Sequence, residues 1–121
     1  MEKIDRWSFG INNDKLIELV LNGEKTATTY LYNEYQKFPK VGDISIITYD
    51  NGNGACMIET IDVIITEFKN ITKDLAYLEG EGDKSLKYYR KSHIDYLKTI
   101  DKDFNDDTKV VFEIFKVLKK Y

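Results

Sequence analysis

Lys25 stands three residues before Thr28 in the run Gly23-Glu24-Lys25-Thr26-Ala27-Thr28. A threonine hydroxyl becomes a nucleophile when a base takes its proton, and a lysine whose pKa is lowered by burial can be that base. The same run also reads as an ordinary turn into a Thr-rich strand. Farther along, Glu79-Gly80-Glu81-Gly82-Asp83 spaces three carboxylates with glycines. Such a loop can offer a carboxyl as a general acid, or bind Mg²⁺ or Ca²⁺ through oxygens, and its glycines allow the backbone close to a ligand. Its spacing matches no calcium loop, and Asp83 is expected to cap the helix that follows. A third group is Tyr88-Tyr89-Arg90-Lys91-Ser92-His93. His93 is the sole histidine, so a His-rich metal site is excluded and a Ser-His-Asp arrangement can be built around this residue alone. At helical spacing from Leu86 and Tyr89 it also suits simple packing. Arg90 beside aromatics suits a phosphate or a base, and Trp7, Tyr30, Tyr32 and Tyr35 are further surfaces for stacking or for the core. No resident metal and no cofactor are expected.

The elements that position these groups follow from spacing. Leu16, Leu19 and Val20 recur at helical intervals, giving a helix from about Asp14 to Asn22, capped by Asn12, Asn13 or Asp14 and ended by Gly23. Lys25 to Tyr30 suits a strand, with Lys25, Ala27 and Thr29 on one face and Thr26, Thr28 and Tyr30 on the other. Phe38 to Asp43 reads as a turn into a strand from Ile44 to Tyr49, and Asp50-Asn51-Gly52-Asn53-Gly54 as a hairpin turn. The returning strand runs from about Ala55 through Thr66, long enough to call for a bend or bulge near Glu59. Thr72 caps a short helix ended by Gly80, and a second helix starts near Asp83 or Ser85 with a basic side of Lys84, Lys87, Arg90 and Lys91. Val110 to Phe115 closes as a strand. This mixed, non-alternating order predicts an α+β fold, a small twisted sheet or partly closed barrel flanked by helices.

Composition narrows the function classes. The chain has 121 residues, 42% hydrophobic and 32% charged, which fits one domain over residues 1–121 with one continuous core. Cys56 is the single cysteine, so an intramolecular disulfide and a cysteine-based zinc cluster are excluded and a reducing, cytoplasmic setting is expected. The first residues are charged and no apolar run reaches membrane-span length, so no membrane association is expected. A net charge of −3 opposes contact with an extended nucleic-acid backbone, leaving any RNA or nucleotide contact local. The apolar pattern marks no interface, and monomer and homodimer are equally compatible with it.

Taken together, the Gly-x-Lys-Thr-Ala-Thr segment, the Pro-Lys-Val-Gly-Asp turn, the Glu-Gly-Glu-Gly-Asp-x-Ser-Leu loop, the Arg-x-x-His pair and the closing Val-x-Phe-Glu-x-Phe strand resemble the ASCH domain family. More narrowly they resemble its bacterial YhfF-like subgroup, over about Trp7 to Val117. The resemblance implies a PUA-like fold and a cleft for RNA or nucleotides beside the Gly-x-Lys-x-x-Thr motif. Some small members of the family are amidohydrolases acting on N4-acetylcytidine through a Lys, a Thr three residues later and a Glu after Ala-x-x. Carried over, these fall on Lys25, Thr28 and Glu79, the last following Ala76-Tyr77-Leu78. Thr28 would attack the acetyl carbonyl, Lys25 would take its proton, and Glu79 would bind or protonate the leaving amine. Glu81, Gly82 and Asp83 depart from that pattern, which implies a pocket shaped for a different ligand, and Tyr89 stands where close relatives carry tryptophan.

The expected function is therefore binding of a nucleoside, nucleotide or RNA in a cleft formed with Lys25, Thr26, Thr28, Tyr30, Glu79, Glu81, Asp83, Arg90 and His93, with hydrolysis of an N4-acylated cytidine as its enzymatic form. Two alternatives remain open: a non-catalytic RNA-binding module, and a metal-dependent ribonuclease using the acidic loop.

Overall fold

The computed structural model describes residues 4–34 and 38–121; Tyr35 and the first three residues, with the charged Glu2 and Lys3, lie outside that set. The chain forms β1 (Asp5–Trp7), α1 (Asn13–Leu21), β2 (Ala27–Leu31), β3 (Ile44–Thr48), β4 (Gly54–Glu67), a 3₁₀ turn (Phe68–Asn70), α2 (Lys73–Glu79), α3 (Leu86–Ile100) and β5 (Lys109–Lys120). The strands make one sheet in the order β1-β3-β4-β5-β2, parallel between β1 and β3 and antiparallel elsewhere. β4 carries register shifts at Met57/Ile58 and Thr60/Asp62, so the bend expected near Glu59 is present and curls the sheet into a half-barrel.

This is the α+β architecture that the order of elements predicts, with adjustments at its edges. β1 was not expected, because three residues carry too little alternation to register as a strand and its pairing with β3 is made only in the tertiary structure. The strand expected over Lys25 to Tyr30 runs instead from Ala27 to Leu31. Thr26 precedes it, and the backbone N–H of Thr26 is drawn to the carbonyl of Leu78 at 2.8 Å. Asp83 does not cap α3: Ser85 does, accepting from the Tyr88 N–H at 3.0 Å, while Asp83 accepts from the Ser85 N–H at 2.9 Å, one step upstream. Thr72 caps α2 as expected. Asn13, expected as a candidate cap, is buried and accepts from the Phe9 N–H at 2.7 Å while donating to the Thr48 carbonyl at 2.9 Å, tying α1 to the end of β3.

Two apolar clusters lie on opposite sides of the sheet. Ala27, Phe68, Ala76, Tyr89, Leu97 and Phe112 pack beneath α2 and α3. Phe9, Ile17, Val20, Ile47, Ile58 and Phe115 pack against α1. β5 supplies both, because successive side chains on a strand point to opposite faces.

Candidate functional site

The ends of two helices fix the site. The backbone N–H groups of Glu24 and Lys25 both reach the Leu19 carbonyl of α1, at 2.9 and 3.0 Å, so the chain leaves α1 under constraint. On the other side α2 ends at Gly80, whose φ of 70° is left-handed. A Cβ there would lie 2.1 Å from the Glu24 carbonyl oxygen, so only glycine lets the two segments touch. That contact sets Glu79 beside Lys25.

Lys25 is 1% exposed and Glu79 2%. The Lys25 ammonium donates to Glu79 Oε1 and, at 3.0 Å, to Glu81 Oε2. Glu79 Oε2 accepts from the Thr29 hydroxyl at 2.5 Å and faces His93 Nε2 at 3.2 Å. The Thr29 hydroxyl proton is thereby committed to Glu79, so the Tyr89 hydroxyl, 2.8 Å away, donates to the Thr29 oxygen. His93 Nδ1 donates to the Tyr89 carbonyl at 2.8 Å, and its ring stacks on Tyr89 with centroids 4.0 Å apart. With both ring nitrogens facing acceptors, the imidazolium is the form that satisfies the site.

The titrations follow from these contacts. Burial pulls the Lys25 pKa down, but the Glu79 and Glu81 carboxylates more than offset it, and the net shift is upward. Lys25 is therefore an ammonium, and the neutral base that a hydroxyl nucleophile needs is not its resting form. Burial pushes the Glu79 carboxyl up, yet Lys25 and His93 together hold it well below the usual carboxylate range. Glu81 goes the other way: burial raises it, Lys25 opposes, and the neighbouring Glu79 charge leaves it raised. Its side chain, 17% exposed, is the opening of the network to solvent. His93 would be lowered by burial but is raised by its bond to Glu79.

Of the residues singled out in the sequence, the structure brings together Lys25, Glu79, Glu81 and His93. Thr28 is not among them: it lies across the strand pair from Glu113, its hydroxyl making no hydrogen bond among the described residues, and Thr29 occupies the place beside Glu79. Thr26 bonds the Leu78 carbonyl at 3.4 Å, and the Tyr30 hydroxyl reaches Glu113 at 3.4 Å. Asp83 is exposed, and Arg90 donates to the Lys69 carbonyl at 3.0 Å. Glu79, Glu81 and His93 are near enough to offer three ligand atoms to one cation, but the Lys25 ammonium already binds both carboxylates. Thr29 and Tyr89 complete the network, and the signal for Thr29 was its place on the Lys25 face of the strand.

A cleft of about 670 Å³ adjoins the network, walled by Lys25, Thr26, Leu78, Ile114 and Phe115, with Lys116 at its side. Its size is that of a small-molecule site. No helix among the described residues is long and apolar enough to cross a membrane.

The family model described as ASCH domain matches residues 5–119. An ASCH domain structure from Lactobacillus crispatus JV V101 superposes with a TM-score of 0.87 at 28% identity, covering 95% of this chain and 80% of that one. Protein EF3133 from Enterococcus faecalis V583 gives a TM-score of 0.85 at 28% identity, covering 100% of this chain and 84% of that one. The S128A mutant of ZmASCH from Zymomonas mobilis shares the fold alone, with a TM-score of 0.56 at 10% identity over 84% of this chain and 61% of that one. No curated protein matches the chain.

Proposed function

The chain belongs to the ASCH domain family, and from that premise we propose that it binds a nucleoside or nucleotide in the cleft walled by Lys25 and Thr26. The observation that carries this reading is the buried, charge-balanced group of Lys25, Glu79, Glu81 and His93 directly beside that cleft. Burying such a group costs more than a hydrophobic replacement of equal volume, and titrations shifted by both burial and specific partners gather at functional sites. The apolar wall of Leu78, Ile114 and Phe115 suits the faces of a base, and Lys116 and Lys120 suit a phosphate. The net charge of −3 favours such an enclosed ligand over a long RNA backbone. The one cysteine, Cys56, is buried and free, which suits the cytoplasm.

The hydrolytic form of this reading acts on an N4-acylated cytidine. Thr28 faces Glu113 and not Lys25, so this form requires β2 to turn Thr28 towards the cleft; in that arrangement the Thr28 oxygen bonds to the acyl carbon, the C–N bond breaks, the amine leaves with a proton, and water then releases the acyl group as a carboxylic acid. Lys25 accepts the hydroxyl proton only after passing its own to a neighbour. Glu81, 3.0 Å away with a raised pKa and a path to solvent, is the suitable acceptor.

Purified protein and its Thr28→Ala variant are incubated with N4-acetylcytidine, a nucleoside panel and short RNAs, following products by chromatography and binding by retention. Saturable nucleoside binding that is weakly salt-dependent supports the reading, and cytidine release by the parent alone supports its hydrolytic form. Binding of RNA only, weakening steeply with salt, supports an RNA module instead, and activity lost in EDTA supports a metal-dependent ribonuclease.

A further inference from the structure

The second half of β4 has an uncovered edge. β3 accompanies β4 only as far as Thr60, whose N–H donates to the Asp43 carbonyl at 2.9 Å and whose carbonyl accepts from the Gly42 N–H at 2.8 Å. The bulge between Thr60 and Asp62 then shifts the strand's alternation by one residue. On β5 the Phe115 N–H donates to the Thr26 carbonyl and the Lys109 carbonyl accepts from the Tyr32 N–H, so odd-numbered residues there turn their main chain to β2 and even-numbered ones to β4. Asp62, Ile64 and Thr66 stand opposite Ile114, Phe112 and Val110 and spend their main-chain groups on β5. Val63 and Ile65 therefore point theirs away from the sheet. Asp62 Oδ1 accepts from the Val63 N–H at 2.9 Å, while the Val63 carbonyl and both main-chain groups of Ile65 have no partner among the described residues.

Sheets blunt such edges with lysine or proline. Residues 60–66 contain neither, all but Asp62 are β-branched, and Ile65 is 46% exposed. The side chains also decide what fits against the edge. Under a two-fold axis an antiparallel edge meets itself, and the register turns on Asp62. Glu59 has Lys116 at 3.6 Å and Glu67 has Lys69 at 3.5 Å, whereas Asp62 has no cation beside it among the described residues. With the axis at Ile64, Asp62 of one copy lies opposite the Thr66 hydroxyl of the other, Val63 opposite Ile65, and Ile64 opposite itself. One step either way sets Asp62 against Ile64 or Phe68, and a second step one way sets it against the other Asp62. The axis at Ile64 matches polar with polar and apolar with apolar.

We propose that the free edge of β4 at residues 63–65 pairs antiparallel with the same edge of a second copy of this chain about an axis at Ile64, joining two β2-β5-β4 ends into one continuous sheet. Each Ile65 N–H donates to the Val63 carbonyl of the other copy, and each Val63 N–H exchanges Asp62 for the other copy's Ile65 carbonyl. So short a contact belongs to the weak end of protein interfaces, and the pair forms at high chain concentration. The cleft beside Lys25 takes no part in this contact, which stands whether or not that cleft binds a nucleoside.

Sedimentation equilibrium of the full chain from roughly 1 to 1,000 μM should show the 14.2 kDa chain passing to twice that mass, with the Ile65 amide gaining hydrogen-exchange protection as the concentration rises. Ile65→Pro is the sharpest variant. The N–H it removes makes no bond within the chain, so the amide spectrum should keep the parent fold while dimerisation weakens by about tenfold or more. Ile65→Lys keeps the N–H and sets a charge against Val63 of the other copy, so it should weaken dimerisation too and carries the test if the proline variant fails to fold. A monomer at every concentration overturns the proposal, as does a dimer that Ile65→Lys leaves intact, which would place the interface elsewhere. Protection of the Ile65 amide by an added peptide of residues 60–67, in a chain that stays monomeric, would make the edge a site for other extended segments and overturn the second copy.

Discussion

The strand pair β2–β5 carries a buried glutamate contact on each of its faces, and the two carboxyls are neutralised differently. On the face under α2 and α3, Glu79 meets the Lys25 ammonium, the His93 imidazolium and the Thr29 hydroxyl. On the other face the hydrogen-bond partners of Glu113 among the described residues are the hydroxyls of Tyr30 and Thr60. One carboxyl is held as an anion by ion pairs, its pKa far below the usual range, and the other is pushed towards the acid form. The first arrangement needs three elements assembled before it is stable; the second needs only a proton from solvent. A buried charge is thus an investment in tertiary structure, whereas a buried acid is local.

The sharpest way to break the comparison is the same substitution on both faces. Glu79→Gln leaves Lys25 buried without its main partner and should cost about 3–5 kcal/mol in urea unfolding. Gly80→Ala attacks the positioning of the network instead of its charge: the added Cβ meets the Glu24 carbonyl oxygen at 2.1 Å in a backbone with φ of 70°. It should cost about 2 kcal/mol, read as a drop in Tm, and loosen the ion pair with it.

Stability against pH sharpens the difference further. Glu79 has a depressed folded pKa, so its contribution is present above about 4.5 and is lost as pH falls through the folded value. His93 has a raised folded pKa, so its contribution is full below about 6.5 and is lost as pH rises through the folded value. His93→Gln should flatten the decline on the alkaline side of pH 6.5 in chemical unfolding curves; an unchanged slope would remove the imidazolium from the account. The smallest effect belongs to Glu113→Gln, which replaces one neutral hydrogen-bonding group by another and should change stability near pH 7 by less than about 1 kcal/mol. A loss as large as that of Glu79→Gln would show that Glu113 is an anion too.

How much of this was legible in the sequence depends on the range of the interaction. Thr72, Gly80 and the Asp50–Gly54 turn act within a few residues, and the sequence placed each correctly. Ser85 took the cap expected of Asp83 because Asp83 is drawn into a turn with the Ser85 N–H, a choice between near neighbours that composition does not make. β1 is defined by a partner forty residues away and left no local trace. In the site, the motif spacing pointed to Lys25 and Glu79, while period two alone put Thr29 on the Lys25 face and Thr28 opposite. The direction of the Lys25 titration was not legible, since it depends on two carboxylates more than fifty residues away overriding burial. Glu113 left a visible signal: a charged residue whose flanking positions on the same strand face are Val111 and Phe115.

The central claim is that Lys25 rests as an ammonium held between two carboxylates, and nitrogen-15 NMR of the Lys25 side chain followed against pH tests it directly. The account predicts an ammonium signal that persists beyond pH 10.5, the ordinary lysine value, and that moves when Glu79 or Glu81 is replaced by glutamine. A signal that shifts to the neutral amine between about pH 7 and 9, as for a desolvated catalytic lysine, would contradict it and return Lys25 to the role of a base.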